Sequence, residues 1–143
     1  MSLSGQAGRN QRRVVMRFSH AVLYVKDVER SAAFYEKAFR LTTRFMHEEK
    51  CYAEMETGSV ALAFASYDLA DMALPDGVIV HNRSQKPQGV EIAFDTDDVD
   101  SAYAHAVSCG ALPVTEPTDM PWGQRLGRVK DADGILVEIC SPM

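Results

Sequence analysis

The sequence predicts an α+β fold of two β-α-β-β-β modules that pack as one body. Three observations carry that prediction. HAVLYVKDVERSAAFYEKAF (20–39) and EIAFDTDDVDSAYAHAVSCG (91–110) share one pattern at a constant offset, aligning His20 with Glu91, Asp27 with Asp98 and Val28 with Val99. Each segment is followed by short stretches of strand character, and a long breaker-rich connection separates the two. The chain has 143 residues, 46% of them apolar. That is enough for one core, while either half alone is too small to make a sound one.

The elements follow in order. Residues 1–15 read as a polar, flexible leader and 16–143 as a single domain made of module 16–66, connection 67–88 and module 89–143. In the first strand Ala21, Leu23 and Val25 share one face and His20, Val22 and Tyr24 the other. Asp27 is placed to cap a helix whose Val28, Ala32, Tyr35 and Phe39 fall on one face. TTRFMHE, KCYAEMET and GSVALAFAS supply three more strands, with His47-Glu48-Glu49-Lys50 as a solvated hairpin turn. In the second module Val90, Ile92 and Phe94 face the helix, and Glu91, Ala93 and Asp95 point away. Asp98 caps the next helix, Val99, Ala102, Tyr103, Ala106 and Val107 form its apolar stripe, and Gly110 ends it. LPVTEP, QRLGRVKD and GILVEICS complete the module, with DADG as a tight turn.

Strand parity nominates a site. On the last strand Leu136, Glu138 and Cys140 share a face, so Glu138 sits between apolar neighbours and needs a partner or a proton. Aligning the modules through Gly58 and Gly134 sets Leu62 opposite Glu138. Of the four equivalent positions, His20, Leu62, Glu91 and Glu138, three carry groups that ligate a divalent ion such as Fe, Mn, Ni or Zn. In the blander alternative, Glu91 pairs with Arg125 or Arg128. Trp122, the only tryptophan, lies in a Gly/Pro-bracketed loop where it would wall a ligand cavity, with Gln124 and Arg125 as polar contacts. Tyr24, Phe45, Tyr52, Met55 and Phe64 are further candidates for the same wall.

Charge and cysteine count narrow the partners. The net charge is −5, from 15 Lys+Arg against 20 Asp+Glu. Arg9, Arg12, Arg13 and Arg17 precede any acid, leaving 11 basic residues against all 20 acids beyond them. So acidic a body disfavours nucleic acid and anionic membrane surfaces and favours small molecules. No apolar run approaches a membrane span. Cys51, Cys109 and Cys140 show no metal-finger or redox spacing and suit a reducing cytoplasm.

From about Arg17 to Pro142 the sequence resembles the vicinal oxygen chelate superfamily, which includes glyoxalase I, extradiol dioxygenases and bleomycin resistance proteins. The resemblance rests on FSHAVLYVKDVERSAAFYEKAF, GVEIAFDTDDVDSAYAHAVSCGA and PWGQRLGRVKDADGILVEICSP. It implies His20 as first metal ligand and Glu138 as last, with Glu91 standing where many members have histidine. It sets Leu62 where glyoxalase I has a glutamate, which disfavours ordinary glyoxalase I activity. His47, His81 and His105 match none of the additional histidines of the dioxygenases. The implied function is a divalent-metal-dependent lyase, isomerase or dioxygenase on a small oxygen-rich substrate, with Glu138 or Glu91 moving a proton. The alternative is a metal-free protein that binds a small molecule or antibiotic, as bleomycin resistance proteins do. The resemblance also implies that the two modules form a curved mixed sheet around a concave site, and that the protein is a homodimer.

Overall fold

The computed structural model describes residues 13–143. Most of the expected leader lies outside the described residues. The first module consists of β1 (His20–Val25), α1 (Val28–Phe39), β2 (Thr42–Met46), β3 (Tyr52–Glu56) and β4 (Ala61–Ser66). A short helix α2 (Tyr67–Ala73) opens the connection. The second module consists of β5 (Glu91–Asp95), α3 (Val99–Ser108), β6 (Leu112–Asp119), β7 (Arg125–Lys130) and β8 (Leu136–Cys140). The strands form two four-stranded sheets, ordered β1-β4-β3-β2 and β5-β8-β7-β6. Each is mixed: the first and last strands of a module run parallel and the other neighbours antiparallel. No helix among the described residues is long and apolar enough to cross a membrane.

Both long helices start where the aspartates predict. Asp27 accepts from the Arg30 N–H at 3.0 Å and Asp98 from the Ser101 N–H at 3.1 Å. Their apolar stripes cover the inner faces of their own sheets, and α1 and α3 also pack on each other. One core therefore spans both modules, with Val25, Tyr35, Met55 and Phe64 from the first and Val129, Val137 and Ile139 from the second. Tyr35 stands at its centre, its ring 4.9 Å from those of Phe64 and Phe39 and 6.4 Å from Phe94.

The modules are also locked by buried polar groups. The Tyr35 hydroxyl donates to Asp131 at 2.5 Å, and the Asp131 carboxylate accepts the N–H groups of Asp133 and Ile135. Ser31 and Arg30 of α1 donate to Asp133 at 2.6 and 2.9 Å. The DADG turn is thus anchored on the helix of the other module. Burial raises the Asp131 pKa, opposed by those three donors, and raises that of Tyr35 well above its ordinary value, reinforced by the Asp131 charge.

The connection is strapped over the same turn. Lys130 donates to the carbonyls of Arg83 and Gln85 at 3.1 and 2.6 Å, and Tyr67 accepts from the His81 N–H at 3.0 Å. The backbone of Asn82 and Arg83 lies so close to Gly134 that a Cβ there would sit 2.6 Å from the Asn82 carbonyl carbon.

Candidate functional site

The core claims one face of each sheet, and the opposite faces carry the candidate residues. Register defines the latter. In the first sheet His20, Val22 and Tyr24 lie beside Ala61, Ala63 and Ala65, with Tyr52 and Glu54 following on β3. In the second, Glu91, Ala93 and Asp95 lie beside Leu136, Glu138 and Cys140, with Arg128 directly across from Glu138.

Three expectations are corrected by this register and the burial that goes with it. The position equivalent to Glu138 is Ala63, not Leu62, because Ala63 is the residue opposite Glu54 as Glu138 is opposite Arg128. The turn before β4 has two residues after Gly58, whereas one separates Gly134 from β8, and that difference shifts the alignment by one position. Leu62 belongs to the core. Phe64, expected to line the ligand site, likewise points inward and is completely buried against Tyr35. Met55 is also wholly buried. Tyr24 and Tyr52 stay half-buried on the outer face, and Phe45 is 6.3 Å from Tyr52, ring to ring.

His20 is exposed and its Nδ1 meets the Ser19 hydroxyl. Its Nε2 lies 3.9 Å from Glu54 Oε2. Glu54 also accepts from the Tyr52 hydroxyl at 2.7 Å and from Arg44 at 3.0 Å. Those bonds, that from Tyr52 first, hold the Glu54 carboxyl below its ordinary pKa. The Tyr52 hydroxyl is in turn pushed up to about 12, by burial and then by its bond to Glu54. Arg44 reaches this group from a register shift in β2 between Thr43 and Phe45.

On the second sheet Arg128 bridges two carboxylates. Its Nε donates to Glu91 at 2.8 Å and its Nη2 to Glu138 at 2.7 Å. Glu138 is the more sheltered, with 12% of its side chain exposed against 33% for Glu91. The bond to Glu91 is the main cause of an Arg128 pKa above its already high ordinary value. The repeat is plain here: Glu91 faces Arg128 across β8 as His20 faces Glu54 across β4.

These facts bear on metal binding. His20 stands on one sheet and Glu91 with Glu138 on the other, on faces the core does not cover. Among the described residues, the one group of three whose ligand atoms all lie within 4.8 Å of one another is His47, Glu49 and Cys51. The guanidinium of Arg128 occupies the place a cation would take between Glu91 and Glu138, and it already neutralises one of their two charges. The expected donor set of His20, Glu91 and Glu138 therefore does not fit a metal ion within one chain. Chemically, the arrangement offers fixed hydrogen-bonding groups on a partly apolar surface, with one unneutralised carboxylate on the Arg128 side.

The Trp122 loop closes the end of the second sheet. Trp122 is 60% exposed, and its indole N–H donates to Gln124 at 2.9 Å. Gln124 donates onward to the Ser141 carbonyl, which fixes the loop to the end of β8. Arg125 is engaged by Asp100 and Asp119 at 2.9 and 3.1 Å. Of the loop residues, then, Trp122 presents the free surface.

Sequence reasoning missed Glu54 altogether and reached Arg128 only as a partner for Glu91. The signal for both is the alternation on the third strand of each module. Glu54 alternates with the buried Ala53 and Met55, and Arg128 lies between the buried Gly127 and Val129.

Comparison with known proteins accords with this architecture. The family model described as Glyoxalase/Bleomycin resistance protein/Dioxygenase superfamily matches residues 17–139. Among solved structures, a glyoxalase-related enzyme from Fulvimarina pelagi superposes with a TM-score of 0.73 at 22% identity, covering 90% of this chain and 89% of that one. A glyoxalase/bleomycin resistance protein/dioxygenase from Nocardioides gives 0.71 at 21% identity, covering 98% and 91%. TioX from Micromonospora sp. ML1 gives 0.66 at 19%, covering 90% and 100%. No curated protein sequence matches. At these identities the structures establish the fold and not an activity. The family match, spanning both modules, shows that the chain belongs to the glyoxalase/bleomycin resistance protein/dioxygenase superfamily.

Proposed function

We propose that this protein binds a small, partly aromatic, cationic molecule without a metal ion. The observation that carries the reading is the Glu91–Arg128–Glu138 bridge, with contacts of 2.8 and 2.7 Å. A guanidinium held by two carboxylates supplies internally the positive charge that a metal would bring. One carboxylate charge remains, beside a half-buried surface that suits an amine or guanidine on a flat apolar body. The acidic body, with 11 basic residues against 20 acids beyond Arg17, favours the same ligand sign. Glu138 and Glu91 are in this reading ligand-binding residues and not proton carriers, and Trp122 is the stacking wall.

A second copy of the chain completes the site. What supports this is exposure: Val22 at 39% and Phe45 at 49% leave apolar positions on the outer face of the first sheet open to water, and Val90 at 52% does so just before β5. A sedimenting mass of twice 15.8 kDa is expected. A monomer that binds ligand at full affinity would contradict it.

The test of the binding reading is Trp122 fluorescence, titrated in chelator-treated protein with a cationic aromatic amine and with an anionic aromatic of equal size. The cation is expected to quench saturably and the anion not. Glu138→Gln should weaken the cation about tenfold, the share of one charge-assisted hydrogen bond. A response that appears only when a divalent ion is restored, and that His20→Ala abolishes, would instead support the metal-dependent lyase, isomerase or dioxygenase. The 3.9 Å approach of His20 to Glu54 is the observation that favours that second reading.

A further inference from the structure

The hairpin between β2 and β3 holds a cluster that plays no part in the site above. The turn is closed by the His47 N–H to the Tyr52 carbonyl and the Lys50 N–H to the His47 carbonyl, both at 2.9 Å, with Lys50 at φ 60°. It brings together an imidazole, a carboxylate and a thiol from positions 47, 49 and 51, with ligand atoms all within 4.8 Å of one another. The neighbouring cation is directed elsewhere, since Lys50 pairs with Glu29 at 3.5 Å.

We propose that His47, Glu49 and Cys51 form a binding site for Zn²⁺ or a similar borderline-soft divalent ion. Zinc–sulfur and zinc–nitrogen bonds of about 2.3 and 2.05 Å at a tetrahedral angle place the two donor atoms ~3.6 Å apart. Cys51 Sγ lies 3.7 Å from His47 Nδ1. Nδ1 is unprotonated and carries a lone pair, because it accepts the Glu49 N–H at 3.1 Å. On binding, the metal takes that lone pair, the Cys51 thiol proton leaves to solvent, and the Glu49 carboxylate supplies the oxygen. The donor types suit zinc over magnesium or calcium. A fourth position is left for water or a small ligand, and a cavity of about 370 Å³ of mixed charge, lined by Glu49, Cys51 and Asp68 and by Lys26, Arg30 and Lys50, adjoins the cluster.

A second thiol–imidazole pair provides an internal contrast. Cys109 Sγ lies 3.6 Å from His105 Nε2, but that nitrogen is bonded to the Lys37 carbonyl at 2.8 Å and no third ligand joins the pair among the described residues.

The experiment is a Co²⁺ titration of the reduced full chain, followed by Zn²⁺ competition. One equivalent of Co²⁺ should give a thiolate charge-transfer band in the near ultraviolet and tetrahedral visible bands, which Zn²⁺ abolishes. The thiolate band should vanish in Cys51→Ser. His47→Ala should weaken Zn²⁺ at least ~10-fold, the minimum typical even of residues that only support a ligand. Cys109→Ser and Glu138→Gln should leave both readouts unchanged. The turn is at the surface, and circular dichroism checks that each variant folds. The absence of a charge-transfer band, its persistence in Cys51→Ser, or its loss in Cys109→Ser would overturn the proposal.

Discussion

Arg128 and Glu54 occupy the same place in the two modules and give it opposite charge. Each lies across the ladder from the equivalent position on the last strand, Arg128 from Glu138 and Glu54 from Ala63. Each also gathers the ionisable group of the first strand, Glu91 in one case and His20 in the other. A carboxylate as sheltered as Glu138 is costly to leave unpaired, and Arg128 meets that need by direct hydrogen bonding. Glu54 makes a pH-dependent contribution whose sign follows from its depressed pKa. A carboxyl held below its unfolded value stabilises the fold fully above the unfolded pKa, and loses that contribution as pH falls through the folded one. The gap in urea midpoint between wild type and Glu54→Gln should therefore be widest at neutral pH and close on acidification below the ordinary carboxylate range. A gap that grows on acidification would contradict this assignment.

At the scale of elements, alternation and capping made most of the chain legible before any coordinates. The aspartates at 27 and 98 cap their helices as expected, and the alternating faces of β1, β5 and β8 are those the residues dictate. What escaped was governed by turns. The extra residue between Gly58 and β4 displaces Leu62 from the outer face to the core, and a slip of one residue in a strand exchanges its faces. Helix α2 escaped for another reason. Of its seven residues only Ala70 is buried, so it leaves almost no periodic trace and depends on the Ser66 cap, which accepts from the Leu69 N–H at 3.3 Å. Two glycines test how turns are enforced. Gly58 and Gly134 have nearly equal torsions, φ 96° and 95°, but a Cβ at Gly58 meets nothing within 4 Å whereas one at Gly134 strikes the connection backbone. Gly58→Ala should cost about 1 kcal/mol, the left-handed strain alone. Gly134→Ala should cost about 3 kcal/mol or more, because the strap must also move. Chemical denaturation of the two variants measures both, and equal losses would show that the clash is relieved freely.

At the scale of the molecule, the two modules share one core and one buried polar lock, and they turn their functional faces away from it. The repeat and the outward residues could both be read from sequence, because each follows from local periodicity. Whether the outward residues meet could not be, since it depends on how two sheets are set against a common core. His20 with Glu54, and Glu91 with Arg128 and Glu138, remain two groups on two sheets. The superfamily frame supplies the expectation of a metal, and the proposed function replaces it with the Arg128 cation. Calorimetric titration of Zn²⁺ into the Cys51→Ser protein, which removes the hairpin thiol, tests that replacement most directly, with Cys51→Ser/Glu138→Gln beside it. No stoichiometric uptake by either protein is expected. One ion per chain in Cys51→Ser, lost with Glu138→Gln, would contradict it.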